Sequence, residues 1–120
     1  MTKSATDPMT DPMTEPMTEP SQPRLTLLVL YSAQLEQCRR FYSDLGLTFT
    51  AEQHGQGPEH YAAVLPDGAV FELYPARPGR QTDILRLGLA VPGDAAVPPM
   101  APGRHILTDP DGRAVEIRAS

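Results

Sequence analysis

A single cysteine, Cys38, excludes an internal disulfide framework in this chain of 120 residues and fits a reducing compartment. Long apolar runs are missing as well. None approaches the ~20 residues of a membrane-spanning helix, and the N-terminal stretch lacks an apolar signal core, so a cytoplasmic location is expected. Basic residues are few: ten Lys and Arg stand against fifteen Asp and Glu, a formal charge of -5. The first 23 residues hold four acids and one lysine, which leaves the body near -2 with no basic stripe. That argues against a nucleic-acid partner. No glycine-rich phosphate loop, Ser-His-Asp series or metal-spaced Cys/His cluster is evident.

What the chain does have begins with a tetrapeptide repeat: Thr6-Asp-Pro-Met, Thr10-Asp-Pro-Met, Thr14-Glu-Pro-Met and Thr18-Glu-Pro. Proline at 8, 12, 16 and 20 removes amide donors and restrains each preceding residue, so residues 1–23 are expected to be a disordered or polyproline-like tail. Residues 24–120 read as one domain with a modest core.

That domain is organised around a stretch used twice. Val64-Leu-Pro-Asp-Gly-Ala-Val-Phe-Glu-Leu-Tyr74 returns, altered, as Thr108-Asp-Pro-Asp-Gly-Arg-Ala-Val-Glu-Ile-Arg118, shifted by 44 residues. Asp-Gly between short apolar runs signals a hairpin turn, because Gly tolerates positive φ and Asp nearly does. With Asp-Gly as a two-residue loop, Ala63 faces Glu72, Tyr61 faces Tyr74, Leu107 faces Glu116 and His105 faces Arg118. His60 then falls on the face away from Tyr61.

Ahead of the first hairpin, Arg24 to Tyr31 reads as a strand buried on both faces. Ser32 reads as the N-cap of a helix running to about Leu45, with Leu35, Cys38, Phe41, Tyr42 and Leu45 as its apolar stripe. Leu47 to Ala51 is expected to be a second strand. His54 falls in a loop. Ile84 to Val91 opens a second unit, but Pro92, Pro98, Pro99 and Pro102 leave its helix missing or reduced to a turn. The fold class is therefore α+β: two βαβββ-type modules, about 24–75 and 82–118, the second lacking most of its helix, together forming a cupped mixed sheet.

Phe41-Tyr-Ser-Asp-Leu-Gly-Leu47, the two Pro-Asp-Gly hairpins, and Val115-Glu-Ile117 in this modular setting resemble the vicinal oxygen chelate superfamily. That group includes glyoxalase I, extradiol dioxygenases and bleomycin-resistance proteins. The resemblance covers about residues 24–118. It implies a homodimer whose paired modules curl into a cup around a small molecule or a divalent metal. It also implies that each module supplies one metal ligand from its first strand, often His, and one from its last, often Glu. Glu72 and Glu116 match the last-strand positions, whereas Leu27 and Arg86 occupy the first-strand ones. Neither Leu nor a guanidinium offers a lone pair, so no metal is favoured, and Arg86 would neutralise Glu72 or Glu116 instead.

The expected ligand-binding residues are accordingly Tyr61, Glu72, Tyr74, Arg86, His105 and Glu116, with Tyr31 as a further aromatic wall. Asp67 and Asp111 are explained by their turns and need no chemistry. The reading is a metal-independent small-molecule-binding protein of the bleomycin-resistance type. One alternative is a divalent-metal lyase, isomerase or dioxygenase using Glu72, Glu116 and His105. The other is a degenerate module kept for protein assembly.

Overall fold

A computed structural model describes residues 21–120. The proline-rich repeat, up to position 20, lies outside the described residues. Strand β1 (Leu27–Ser32) leads into α1 (Leu35–Asp44), followed by β2 (Thr50–Glu52), β3 (His60–Val64) and β4 (Val70–Pro75). Then come β5 (Arg86–Val91), a 3-10 turn at Gly93–Ala95, β6 (Gly103–Thr108) and β7 (Ala114–Ala119). The strands form two mixed sheets, in the orders β1-β4-β3-β2 and β5-β7-β6. In each, the opening strand runs parallel to the closing one, β1 with β4 and β5 with β7. The α+β modular architecture is thus as expected, and the second module is shorter still. It lacks the helix and also one strand, because the prolines between Pro92 and Pro102 withdraw the amide donors that either element requires.

Helix α1 buries Cys38 and Tyr42 and packs Leu35 and Phe41 partly, the stripe expected from a 3.6-residue period. Ser32 is not its cap. It ends β1, and its Oγ accepts from the Gln34 amide at 2.9 Å, so the helix starts later than expected, behind Gln34. The second strand is also shorter than expected. Leu47 and Phe49 pack against the core, and pairing with β3 begins only at Thr50 opposite Ala62.

The hairpins correct the expected register. Leu65 N donates to Ala69 O at 2.8 Å and Gly68 N to Leu65 O at 2.9 Å, so the loop is Pro66-Asp67-Gly68, three residues and not two. The copy repeats this at Pro110-Asp111-Gly112, with Asp109 N donating to Arg113 O. A two-residue loop would make Pro66 and Pro110 the closing ladder donors, which proline cannot be. Proline instead suits the first position of a type I turn, and Gly68 and Gly112 take the left-handed step at φ 93° and 90°. One residue of slip turns every side chain of a strand to the other face. Tyr61 therefore pairs with Leu73, Ala62 with Glu72, Ile106 with Glu116 and His105 with Ile117.

One core serves both modules. Leu30, Phe71 and Leu73 from the first sheet and Val115, Ile117 and Ala119 from the second join Cys38, Tyr42 and Leu45 around α1. The other face of each sheet has no such cover. β1, expected to be buried on both sides, leaves Leu27 52% and Tyr31 43% exposed. Among the described residues, no helix is long and apolar enough to cross a membrane.

Candidate functional site

Two sheet faces carry the candidate chemistry. On the first, the register sets Val29 beside Glu72, Tyr31 beside Tyr74, and Ala62 on the far side of Glu72. The Tyr31 and Tyr74 rings lie 5.7 Å apart, and the His60 ring stacks on Tyr74 at 4.0 Å with 9° between planes. These three rings form an aromatic wall beside the Glu72 carboxylate. Partial burial, and then the charge of Glu72, push the Tyr74 hydroxyl above its usual value, so it stays a neutral donor. A cavity of about 510 Å³ opens next to this wall, lined by Tyr31, Pro58, Tyr74, Pro75, Arg77 and Arg80. Its rim combines flat apolar surface with two guanidinium groups. Among the described residues Glu72 has no ion-pair partner.

On the second face, Glu116 is held from both neighbouring strands. Arg104 Nε donates to its Oε2 at 2.6 Å and Arg86 Nη2 approaches its Oε1 at 3.4 Å. The hydrogen bond from Arg104 is the main reason its carboxyl lies below the ordinary carboxylate range. A cavity of about 270 Å³ opens against Gly88, Leu89, Ala90, Glu116 and Arg118.

Of the six residues expected to line a site, Glu72 and Tyr74 share the first face, and Arg86 and Glu116 share the second. Tyr61 and His105 do not join them. The Tyr61 hydroxyl donates to the Glu36 carboxylate on α1; that bond raises the phenol and lowers Glu36. His105 Nε2 lies 2.7 Å from the Ala101 carbonyl and, as a donor, satisfies it. A ligand set of Glu72, Glu116 and His105 is therefore not assembled.

The donor set around the two glutamates does not fit a divalent ion. Leu27 sits opposite Val70 and Arg86 opposite Ala114, the same step in each module, while Val29 and Gly88 stand directly beside the glutamates. None of the four provides a lone pair, and Glu116 is already charge-compensated.

Sequence reasoning missed Arg104 and His60. Arg104 shares the Glu116 face only once the register is known. His60 was placed on the wrong face by the loop count, and Pro66 ahead of Asp-Gly was the available signal.

No family model matches the sequence, and no curated protein does. Solved structures do match. TnmS3, an antibiotic binding protein from Streptomyces sp. CB03234, is similar with a TM-score of 0.59 at 18% identity, over 84% of this chain and 98% of that one. A protein from the mobile metagenome of V. Pseudocholerae gives 0.55 at 19% identity, over 84% and 97%. The oxidase ChaP-H2 gives 0.52 at 16%, over 78% and 91%. The architecture shared with these structures is the vicinal oxygen chelate fold.

Proposed function

We propose that this chain is a small-molecule-binding protein that holds its ligand, without a metal ion, against the open sheet faces of a cytoplasmic homodimer. The observation that carries the reading is the Tyr31–Tyr74–His60 wall beside a Glu72 carboxylate that lacks an ion-pair partner among the described residues. A carboxylate flanked by aromatic faces suits a flat, amphipathic ligand bearing a cationic or hydrogen-bond-donating group. Arg77 and Arg80 at the cavity rim, with Arg86 on the second sheet, accommodate an acidic substituent. Both faces also expose apolar side chains, Leu27 and Val64 on one and Ile106 on the other, which a second copy of the chain would cover while closing the cup. An antibiotic binding protein among the similar folds supports the ligand class without naming the ligand.

The test is calorimetric titration of untagged, chelator-treated protein with a panel of flat, amphipathic antibiotics. Binding should survive the chelator. Glu72→Gln and Tyr74→Ala should each weaken it by about tenfold, the equivalent of about 1.4 kcal/mol. Binding that requires a tight stoichiometric metal would replace this reading with a metal-dependent enzyme. A panel without any binder, together with a partner protein captured through residues 92–103, would favour an assembly role.

A further inference from the structure

Glu52, His54 and His60 converge at the outer edge of the first sheet. Glu52 ends β2 directly opposite His60 on β3, and His54 follows in the loop two residues on. Glu52 Oε1 lies 3.4 Å from His60 Nε2 and 3.5 Å from His54 Nε2, and the three donor atoms all lie within 4.8 Å of one another. An ion with ligands at about 2.0–2.1 Å in tetrahedral geometry spaces those ligands about 3.3 Å apart, so both measured separations already fit.

The state of His60 makes the cluster more than a group of surface side chains. The residue is 1% exposed, and its Nδ1 lies 3.2 Å from the Pro58 carbonyl oxygen. A carbonyl only accepts, so Nδ1 carries a proton, and in the neutral ring Nε2 presents a lone pair. That Nε2 is buried and has no hydrogen-bond partner. A buried acceptor without a donor costs free energy, and the group facing it is a carboxylate, which has no proton to give. A cation satisfies both at once. The backbone carbonyl on Nδ1 is the outer partner that orients a metal-binding histidine, and the stack on Tyr74 fixes the ring plane.

We propose that Glu52, His54 and His60 form a binding site for a divalent transition-metal ion, with two imidazoles and one carboxylate as ligands and the remaining coordination left to solvent. Two nitrogens and one oxygen suit a borderline ion of the zinc type and do not suit calcium or magnesium, which take oxygen donors. The site lies apart from Glu72 and Glu116 but shares His60 with the aromatic wall, the ring face stacking on Tyr74 and Nε2 lying towards Glu52. Cobalt uptake without any organic ligand tests it separately from the small-molecule reading.

The probe is cobalt(II) alone, titrated into the untagged, chelator-stripped full chain and followed by its visible d–d absorption and by calorimetry. One ion per chain is expected. His54→Ala, at a side chain 73% exposed and so without a folding role, should weaken it at least about tenfold, since losing even an outer-shell partner costs that much. Glu52→Gln and His60→Gln should do the same, and Glu72→Gln and Glu116→Gln should leave the affinity unchanged. Absence of cobalt uptake would overturn the proposal. So would uptake insensitive to His54→Ala, or uptake lost in Glu72→Gln.

Discussion

The Tyr42 hydroxyl donates a 2.7 Å hydrogen bond to Asp109 Oδ2 across 67 residues of chain. It ties the one helix of the first module to the hairpin of the second. Asp109 is held in turn by Arg113, whose Nη1 lies 3.1 Å from the same oxygen and whose amide donates to Oδ1. Arg113 also grips Asp111 with both terminal nitrogens, and both Asp109 and Arg113 are buried. Burial, and then the bond to Asp109, push the Tyr42 hydroxyl far above its ordinary value, so it acts only as a donor.

Removing either end of this network should not cost the same. Asp109→Ala strips the Tyr42 hydroxyl, the Asp111 and Arg113 amides and Arg113 Nη1 of their shared acceptor, leaving Asp111 as the one carboxylate on the buried guanidinium, and about 3 kcal/mol or more should be lost. Tyr42→Phe leaves the Asp109–Arg113 pair standing and should cost about 1–2 kcal/mol. Urea denaturation of the two variants decides; equal losses would mean that the pair is not the dominant element.

Cys38 should be nearly inert. Its thiol is pushed up to about 11, chiefly by burial, so at pH 8 only about one molecule in a thousand carries the thiolate. A disulfide reagent such as DTNB should label the folded chain at least about a hundredfold more slowly than the denatured one, with the rate still rising above pH 9. Fast labelling at neutral pH would contradict the burial.

The Arg104–Glu116 pair gives a pH dependence of known sign. Because Arg104 lowers the folded-state pKa of Glu116, the pair's contribution is present above the unfolded carboxyl value and fades as pH falls through the folded one. Arg104→Ala should therefore be less stable than the parent at neutral pH and match it in acid, and added salt should narrow the gap. An NMR titration of the Glu116 carboxyl should move upward in that variant.

Two glycines should separate backbone strain from steric clash. A Cβ at Gly112 meets open space, so Gly112→Ala costs only the left-handed conformation at φ 90°, about 1–2 kcal/mol. A Cβ at Gly93 would sit 2.3 Å from the Met100 carbonyl oxygen and 3.2 Å from Ala119 Cβ, so the backbone itself would have to move. Thermal melts should show the larger drop for Gly93→Ala.

The modules were legible in the sequence because a 44-residue shift carries β4 onto β7 residue for residue, and so were the helix stripe and the loss of the second helix. Side-chain facing was lost through one residue of loop length, since Asp-Gly alone does not say whether the preceding proline is inside the turn. That single step moved Tyr61 and His105 to the covered side and brought His60 beside Tyr74. The Glu52–His54–His60 cluster escaped notice for another reason. Its members come from two strands and a loop, and they meet only after the pairing of Glu52 with His60 is set.

The shared helix also means that this duplication can no longer be divided. In the first hairpin the positions matching Asp109 and Arg113 are Leu65 and Ala69, and Asp67 merely accepts from the Ala69 amide in its own turn. The second hairpin, in a module without an α-helix of its own, carries the charged clasp that reaches α1. Cys38 and Tyr42 thus answer to two masters, so a change at either must be tolerated by both halves together. Asp67, its side chain bonded only within its own turn, is far freer to drift.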